Sequence, residues 1–381
     1  MSESQLFVIV SGTPYHGVHR SARGIADALG EQRRVLFVDP PKSALTGTND
    51  QTNRRVGYRT KIIQERANIF RLAPIAPPGK DRPGIRSLTK AATARQIRSG
   101  VRSLDATTWI LFQQSAHRSV IGRTGEKLAI FHSSDDLSAG ADLLGLDAQS
   151  LEEAEMKAAR DADLVLAVSP GLVERWVKAG IHAEFFPNGV DAEAFADVNT
   201  VAAAPDVSLE GPIAGVVGTL SERLDMALLH AVADRMSLLL VGPESFRVDR
   251  SGFADLISRR NVQWVGERPF DELPSYYRHM DLTLLPYTLS PFNQASFPLK
   301  SLEYLAAGKA IVSTPLRSVE SLDAPGIAFA SSPATFADSA IAIAAESPWS
   351  SGELQGFATQ HTWSRRSDRL IEIAEEYSNA I

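Results

Sequence analysis

The chain has 381 residues, of which 44% are hydrophobic and 22% charged, as in a globular protein with a sizeable core, and this length usually forms two domains. It contains no cysteine, which excludes disulfide bonds, thiolate metal sites and cysteine nucleophiles. The formal net charge is -6, but the basic residues are concentrated in one segment.

The N-terminal residues contain no basic region ahead of their short apolar run. No stretch of the sequence approaches the roughly 20 apolar residues that a membrane span requires. We therefore expect neither a signal peptide nor a transmembrane segment, and we expect the protein to be cytoplasmic.

The first 190 residues alternate short apolar runs with amphipathic patterns, which predicts an N-terminal α/β domain. A strand at 6–10, a loop at 11–17, a helix at 18–30 ended by glycine, and a strand at 35–38 form a βαβ unit. Residues 40–80 show little regular pattern. Further elements are predicted as a helix at 85–101, strands at 109–112 and 128–131, a helix at 148–160, a strand at 164–168 and a helix at 170–179.

The basic segment spans residues 54–102, with thirteen basic and two acidic side chains, so its net charge is +11 and that of the remainder is -17. Such a patch attracts anionic lipid headgroups, phosphorylated acceptors or nucleic acid, or it is an ordinary solvated surface. It lacks interleaved aromatic residues, so we expect no nucleic acid partner. Docking to an anionic membrane surface is the functional candidate beside the solvated-surface alternative, and it would place the protein peripherally at the inner face of the cell membrane.

The second half repeats the α/β alternation after an alanine- and proline-containing stretch at 191–211, which predicts a linker. We expect a C-terminal domain at 212–360 and a final helix at 361–381 that packs back on the N-terminal domain. Two doubly wound domains are thus predicted, with ligands outside the carboxyl ends of the strands, in the cleft between the domains. The predicted elements are strands at 213–217, 238–241, 262–265 and 282–285, and helices around 226–234, 253–258 and 269–279.

Residues 295–314 read as a loop, a helix, a turn at Gly308 and a strand. Lys300 lies in the first turn of this helix, where backbone N–H groups are unpaired, and Glu303 follows on the same face. A cation for phosphates and a carboxylate for ribose hydroxyls would suit a nucleoside diphosphate. The alternative is an ordinary solvated Lys–Glu pair.

Glycines mark a second place where a phosphate could approach the backbone. Gly215, Gly218 and Thr219 are predicted to end a strand and open a helix. The glycine spacing of dinucleotide-binding Rossmann domains is absent, which disfavours a dehydrogenase.

Several motifs together resemble the bacterial glycosyltransferases of the GT-B fold, in particular those of teichuronic acid and exopolysaccharide assembly. The resemblance extends from about residue 128 to residue 322. It implies two Rossmann-like domains, an N-terminal one for the acceptor and a C-terminal one for a nucleotide-sugar. The motifs, in the order of the family, are ARDADLVLAVSPGLVERW (159–176), FPNGVDAEAF (186–195), GVVGTLSERLD (215–225), NVQWVGERPFDELPSYYRHMDLTLLPY (261–287) and residues 295–314.

The resemblance implies roles for residues of the C-terminal domain. Lys300 would contact the donor diphosphate, Glu303 the ribose, and Arg223 would be a second phosphate-binding cation. Many retaining relatives have a further glutamate where this chain has Ala295, which leaves a retaining mechanism in doubt. The remaining donor-binding candidates are Gly218, Thr219, Gly242 and Glu267, the last two at strand ends facing the nucleobase.

The base that activates the acceptor hydroxyl should be a carboxylate or imidazole of the N-terminal domain. Asp135 and Asp136 follow a predicted strand, and Asp135 is slightly preferred; a helix N-cap is the alternative role for either. His16 competes for the role of base. His19 and His132 are candidates for binding the acceptor, or are structural histidines.

The resemblance also implies that no metal or other cofactor is required. Asp161 and Asp163 look like a metal-binding Asp-x-Asp pair, but a helix cap is the favoured interpretation. The donor would be a nucleoside-diphosphate sugar, with a UDP-sugar as the first candidate, and the acceptor a glycan, a lipid-linked glycan or another hydroxyl compound. If an aspartate is the base, transfer inverts the anomeric carbon.

Two other function classes are open at this point. A UDP-sugar epimerase of the GT-B fold would bind the same nucleotide but would turn over without an acceptor. A non-catalytic sugar-binding protein of two α/β domains would release no nucleotide.

Overall fold

The computed structural model of the protein forms two compact units, each built on a mainly parallel β-sheet. Unit 1 consists of Met1–Pro187 and Trp363–Ile381, and unit 2 of Asn188–Thr362. The structure describes residues 5–17, 21–43, 62–82, 84–141 and 147–379.

Unit 1 contains an eight-stranded sheet in the order β10-β9-β8-β7-β1-β2-β5-β4. All neighbours pair in parallel except β4 and β5, which are antiparallel, and β3 and β6 form a separate small parallel sheet. The strands are β1 (Gln5–Val10), β2 (Arg34–Val38), β3 (Lys42–Ser43), β4 (Ile62–Arg66), β5 (Ile69–Leu72), β6 (Ile75–Ala76), β7 (Thr108–Gln113), β8 (Leu128–Ser133), β9 (Leu164–Ala167) and β10 (Ala183–Phe185).

Helices cover the sheet of unit 1, and their caps follow from the sequence. Asp147 and Ser169 accept backbone N–H groups of the first turns of two of them, and Pro170 occupies the first turn of the second. The helices are α1 (Ser21–Gln32), α2 (Ile85–Ser103), α3 (Ala148–Asp161) and α4 (Pro170–Lys178), and a 3₁₀ turn spans Ala116–Arg118.

Unit 2 contains a six-stranded, all-parallel sheet in the order β13-β12-β11-β14-β15-β16. Its strands are β11 (Ile213–Val217), β12 (Ser237–Val241), β13 (Val262–Trp264), β14 (Leu282–Leu285), β15 (Ala310–Ser313) and β16 (Ile327–Phe329). Its helices are α5 (Met226–Ala233), α6 (Arg250–Ile257), α7 (Leu273–Tyr277), α8 (Pro291–Ala295), α9 (Leu299–Ala306), α10 (Arg317–Glu320), α11 (Pro333–Ala345) and α12 (Ser351–Thr359), with 3₁₀ turns at Glu193–Phe195 and Phe270–Glu272.

The C-terminal helix α13 (Trp363–Asn379) belongs to unit 1, where it packs against α1. Leu370 and Ile373 are buried in the core of unit 1. The amide of Gln32 donates a hydrogen bond of 2.6 Å to Asp368, at the surface of the same contact. The last helix therefore completes the core of the N-terminal unit.

Each sheet reverses its strand order at one point, where ligands of doubly wound proteins usually bind. In unit 1 the chain passes from β1 outward to β2 and β5 and then returns to β7 on the other side of β1. In unit 2 it passes from β11 to β12 and β13 and then returns to β14. The carboxyl ends of β1 and β7, and of β11 and β14, are therefore the expected ligand positions.

Three predictions about the elements need correction. Gly30 does not end the first helix; a Cβ there would come within 2.5 Å of Ile69, so this glycine allows β5 to pack closely on α1. Residues 62–76 contain three strands. They were not predicted, because charged residues interrupt the apolar pattern of this segment. Residues 191–211, predicted as a linker, lie within unit 2, where Phe195 is buried and its ring packs edge-on against Tyr277.

None of the helices in the described ranges combines the length and the apolar character needed to cross a membrane.

Candidate functional site

Glycine turns connect the carboxyl ends of the three strands on one side of the sheet in unit 2. The N–H of Gly218 donates to the carbonyl of Val241 at 2.8 Å, and the N–H of Gly242 donates to the carbonyl of Gly266 at 2.8 Å. Gly242 has a φ of 142°, and a Cβ there would lie 1.9 Å from the carbonyl oxygen of Gly218. No side chain fits at this point, so the backbone itself forms the edge of the site.

The segment after β11 is a loop, which corrects the prediction that a helix opens at Gly218 and Thr219. Helix α5 begins only at Met226, capped by Asp225. The loop is held by neighbouring loops, because Asp225 N–H donates to Pro286 O at 2.7 Å and Leu220 N–H donates to Pro243 O at 2.9 Å. Thr219 is exposed on this loop.

Lys300 and Glu303 form an ion pair of 2.5 Å on the first turns of α9. The pair is not the solvated one that spacing alone allowed, because Glu303 is only 5% exposed. Lys300 extends over Gly218, where a Cβ would lie 3.5 Å from its Cε. Among the described residues, no side chain caps the first turn of α9. A cation and uncapped backbone N–H groups thus meet at the end of β11.

Tyr304 fixes this helix to the sheet. Its hydroxyl accepts a hydrogen bond from Val217 N–H at 2.9 Å and donates one to Val217 O at 3.2 Å. Val217 is the last residue of β11, so the contact sets the distance between Lys300 and Gly218. The sequence gives no local signal for a pair 87 residues apart, and Tyr304 was not among the predicted site residues.

Tyr277 lies beside the same helix, and its ring packs against that of Tyr304 at 5.9 Å. Burial, followed by the nearby carboxylate of Glu303, raises the pKa of Tyr277 well above its ordinary value. Its buried hydroxyl has no hydrogen-bond partner among the described residues.

Arg223 lies on the loop after β11 and is oriented by three side chains. Its Nε donates to Asn293 Oδ1 at 2.7 Å, and its guanidinium lies 4.9 Å from the ring centre of Tyr287 and 5.1 Å from that of Phe292. Asn293 is buried and also donates to Thr288 O at 2.9 Å. Arg223 is therefore held at the switch point between β11 and β14.

The remaining predicted donor residues lie along the same edge. The carbonyl of Gly242 accepts a hydrogen bond of 2.9 Å from the indole of Trp264. Glu267 is exposed in the loop that follows β13. The geometry therefore places all the predicted donor residues at the carboxyl edge of one sheet, and it brings Lys300, Glu303 and Gly218 into one group.

In unit 1, Asp136 is part of a charged network. Its carboxylate pairs with Arg175 at 3.1 Å and accepts Ala139 N–H at 3.0 Å, so it caps the following turn. Arg175 also pairs with Glu155 at 3.1 Å. Burial raises the pKa of Glu155 to about 7, although Arg175 opposes the shift. Arg175 and Glu155 were not predicted as functional residues.

Asp135 lies next to this network in sequence. Its carboxylate accepts a hydrogen bond of 3.5 Å from Ser134, and it is partly exposed. Of the two aspartates proposed as the base, Asp136 has the structural role of a cap.

His16 lies in the loop after β1, and its side chain is 53% exposed. Its Nε2 lies 3.2 Å from Glu65, which pairs with Arg71 at 2.5 Å; Arg71 in turn pairs with the buried Asp39 at 2.9 Å. Tyr15 N–H donates to Asp39 at 2.9 Å, which ties the loop to the end of β2. Glu65 of β4, held by Arg71 of β5, therefore positions His16.

His132, a predicted acceptor residue, is buried inside β8, which continues to Ser133. Its imidazole stacks on Phe112 at 4.9 Å and meets Phe186 edge-on at 5.9 Å. Burial lowers the pKa of His132 to about 4, so the ring is neutral at physiological pH. His19, the other predicted acceptor residue, lies outside the described residues.

Both aspartates of the Asp-x-Asp pair make structural contacts within unit 1. Asp161 pairs with Lys157 at 2.9 Å, and Asp163 accepts Ala129 N–H at 2.8 Å, which joins β8 to the start of β9. In the described ranges, no group of three or more histidine, aspartate or glutamate side chains is arranged to hold a metal ion.

Residues 212–346, most of unit 2, match the family model Glycosyl transferases group 1. Unit 2 is thus similar to the group 1 glycosyl transferases over most of its length. A curated relative, the putative teichuronic acid biosynthesis glycosyltransferase TuaH of Bacillus subtilis (strain 168), is 34% identical over 188 residues. That match covers 46% of this chain and 46% of the relative, so it spans about half the length of each.

Solved structures resemble this chain over nearly its whole length. The sucrose-phosphate synthase of Thermosynechococcus elongatus has a TM-score of 0.74 at 16% identity, covering 99% of this chain and 100% of that one. Anabaena Alr3699/HepE in complex with UDP and glucose has a TM-score of 0.67 at 17% identity, covering 98% and 99%. The fold is GT-B, as the motifs predicted.

Proposed function

We propose that the protein is a glycosyltransferase that moves a sugar from a nucleoside-diphosphate sugar to a hydroxyl acceptor in cell-surface polysaccharide assembly. The observation that carries the proposal is the Lys300–Glu303 pair beside Gly218, within the region that matches the group 1 glycosyl transferases. The resemblance to a teichuronic acid glycosyltransferase supports the polysaccharide role.

The donor would bind at the carboxyl edge of unit 2. Lys300 and the first turn of α9 would receive the diphosphate, and the buried carboxylate of Glu303 would accept the ribose hydroxyls. Donor binding then replaces the Lys300–Glu303 pair, because both partners turn to the ligand. UDP is our first candidate nucleotide, since HepE is described as a complex with UDP.

Calorimetric titration with UDP, GDP and dTDP tests this proposal. We expect one nucleotide to bind, and we expect Lys300→Ala to weaken it by ~10- to 100-fold, since a hydrogen bond to a charged group contributes about 1.5–3 kcal/mol. The control is Arg235→Ala, which removes a cation paired with Asp338 just before β12, at the opposite edge of the sheet. Absence of binding by all three nucleotides would contradict the proposal.

The leaving diphosphate would be stabilised by protein charges. Lys300, Arg223 and the N-terminus of α9 supply positive potential at the end of β11. We therefore expect transfer to proceed without a divalent cation, and assays with and without EDTA check this. A loss of activity in EDTA that Mg²⁺ restores would overturn this part of the proposal.

We propose Asp135 as the base that deprotonates the acceptor, which makes the reaction inverting. Asp136 is already engaged by Arg175 and by the turn that it caps. Asp135→Asn should lower kcat by ~100- to 10,000-fold without changing nucleotide affinity. Asp136→Asn should mainly lower the stability of unit 1. If both variants and His16→Ala retain full activity, none of these residues is the base.

Helix α2 offers a surface for docking at an anionic membrane. It carries five basic residues and no acidic one, and Leu88 near its start is 63% exposed. Cations near an anionic bilayer contribute about 1 kcal/mol each, and salt screens them. Cosedimentation with vesicles containing phosphatidylglycerol should thus be strong at low salt and weak at high salt. Binding that does not depend on salt or on anionic lipid would argue against this surface.

A further inference from the structure

The loop that follows β12 exposes an aromatic ring at the same edge of the sheet as the proposed donor site. Phe246 lies in this loop and is 76% exposed. Unit 2 lies wholly within the described residues, and its exposed phenylalanines are Phe246 and Phe329. Single exposed apolar residues are common, so the position of the ring decides whether it has a role. Phe329 ends β16 at the far edge of the sheet, whereas Phe246 lies beside the glycine turns.

The loop that carries Phe246 is fixed to the loop after β11. The N–H of Ser245 donates to the carbonyl of Leu220 at 2.8 Å, and the N–H of Leu220 donates to the carbonyl of Pro243 at 2.9 Å. Two residues after the ring, Val248 is buried, and its N–H donates to the carbonyl of Ser245 at 3.1 Å. Phe246 therefore occupies a turn that is held at both ends.

One face of this ring already has a partner. The guanidinium of Arg247 lies over the ring of Phe246, 5.2 Å from its centre. An aromatic ring has two faces, and a second planar group can stack on the face that the cation does not cover. Because the residue remains mostly exposed, unit 2 itself does not fill that second position.

The other aromatic rings near this edge pack within the fold. Trp264 meets Phe253 edge-on, with 5.2 Å between the ring centres. Tyr287 and Phe292 lie against the guanidinium group of the loop after β11. These contacts leave Phe246 as the exposed ring at the carboxyl ends of β11, β12 and β13.

The order of the strands places Phe246 on the side of the donor site that a nucleobase would occupy. Lys300 and Gly218, the proposed diphosphate contacts, lie at the end of β11. On the β14 side of this point the edge is filled by Arg223 and its aromatic neighbours. On the other side it consists of glycine turns, and β12 is one strand spacing away, about 4.8 Å. A nucleoside that extends from the diphosphate along the unfilled side therefore reaches the loop of Phe246.

We propose that Phe246 stacks on the nucleobase of the donor nucleotide. The assignment rests on the proposed glycosyl transfer, for which it names a contact to the base. Every nucleobase presents a flat π face, so stacking strengthens binding of any nucleoside diphosphate without selecting among bases. The choice of base then depends on hydrogen bonds to its edge.

Calorimetric titration of the 381-residue protein with UDP, GDP, dTDP and inorganic pyrophosphate tests the assignment. Phe246→Ala should weaken nucleotide binding by ~5- to 100-fold, the effect expected when a base loses its aromatic stacking partner. Pyrophosphate has no base, so its affinity should be the same in the variant and in the wild type. Equal weakening of nucleotide and pyrophosphate would show that the ring does not act on the base.

Phe329→Ala is the matched control, because it removes an exposed phenylalanine from the same sheet. Its nucleotide affinity should equal that of the wild type. Phe246→Tyr keeps a planar ring and should bind within a few fold of the wild type, whereas Phe246→Leu is apolar but not planar and should bind as weakly as Phe246→Ala. Wild-type affinity in Phe246→Ala or Phe246→Leu, or an equal loss in Phe329→Ala, would overturn the proposal.

Thermal unfolding without ligand separates a role in binding from a role in folding. Phe246→Ala should leave Tm unchanged, because the side chain is mostly exposed. A weaker affinity together with a lowered Tm would mean that the ring holds the loop rather than the base, which contradicts the assignment.

The two proposals fail in different ways. If the wild-type protein binds none of the three nucleotides, the proposed function fails and the role of Phe246 fails with it. If the wild type binds a nucleotide and Phe246→Ala binds it equally well, only the role of Phe246 fails.

Discussion

At the carboxyl edge of unit 2 the predicted site residues contact one another, whereas in unit 1 they are tied to separate parts of the fold. Lys300 lies over Gly218 and pairs with Glu303. By contrast, Asp136 is held by Arg175, and His16 by Glu65. A site made by backbone turns and one short helix remains recognisable in sequence, while a site made by long-range side-chain pairs does not.

The difference also concerns charge. In unit 2 the cation Lys300 has a buried partner, Glu303, that a ligand can replace. In unit 1 the half-buried Lys90 lies among the cations Arg123, Arg86 and Lys157, and it was not among the predicted site residues. The Lys–Glu pair of unit 2 is therefore visible in sequence as a candidate donor site, whereas the burial of Lys90 emerges only from the structure.

The largest effect is expected at Gly242, where the backbones of two loops of unit 2 lie in close contact. Gly242→Ala would place a Cβ 1.9 Å from the carbonyl oxygen of Gly218 at a φ of 142°. We expect a loss of about 4 kcal/mol or more of unfolding free energy, together with loss of nucleotide binding. Urea unfolding and calorimetry measure the two effects.

The control for this variant is Gly356→Ala. A Cβ at Gly356, inside α12, would meet nothing within 4 Å. Helix propensity predicts a gain of roughly 0.5–1 kcal/mol. If both variants behave alike, the close approach of the two glycine turns does not define the edge of the site.

A second effect should be confined to unit 1 and should depend on pH. The pKa of Glu155 is raised from 4.5 to about 7 in the folded protein, so its contribution to stability is complete below pH 4.5 and is lost as pH rises through 7. The loss amounts to roughly 3 kcal/mol. In Glu155→Gln the decrease in unfolding free energy from pH 5 to pH 8 should be smaller than in the wild type.

Glu152→Gln is the matched control, because Glu152 is exposed on the same helix. We expect its pH dependence to equal that of the wild type. A steep decrease that survives in Glu155→Gln would show that the Asp136–Arg175–Glu155 network does not set the pH response of unit 1.

A smaller effect is the difference in unfolding free energy between variants of two buried tyrosines of unit 2. Tyr304→Phe leaves the buried N–H of Val217 without its acceptor and should cost about 1–3 kcal/mol, with a weakening of nucleotide binding. Tyr277→Phe should cost little, since no described residue bonds to that hydroxyl. Denaturant unfolding of the two variants measures the difference. Equal losses would mean that Tyr304 does not fix α9 to β11.

The sequence predicts well the elements that depend on a pattern within a few consecutive residues. The apolar run of β1 and the amphipathic spacing of the helix that carries Lys300 are patterns of this kind. Strand β4 was missed because it lies at the edge of the sheet, where its polar residues Gln64 and Arg66 are exposed.

The parts that could not be predicted depend on distant partners. The burial of His132 comes from Phe112 and Phe186, which belong to other segments of the chain. The contact between Tyr304 and Val217 joins residues 87 positions apart. A single sequence contains no pattern that reports such pairs.

Hydrogen exchange of the 381-residue protein, with and without saturating UDP, tests most directly whether the carboxyl edge of unit 2 binds the donor. We expect slower exchange in peptides covering residues 217–225 and 299–306 of unit 2, because the loop after β11 and the first turn of α9 would hold the diphosphate. Protection confined to unit 1, or no protection at saturating UDP, would contradict the assignment of the donor site.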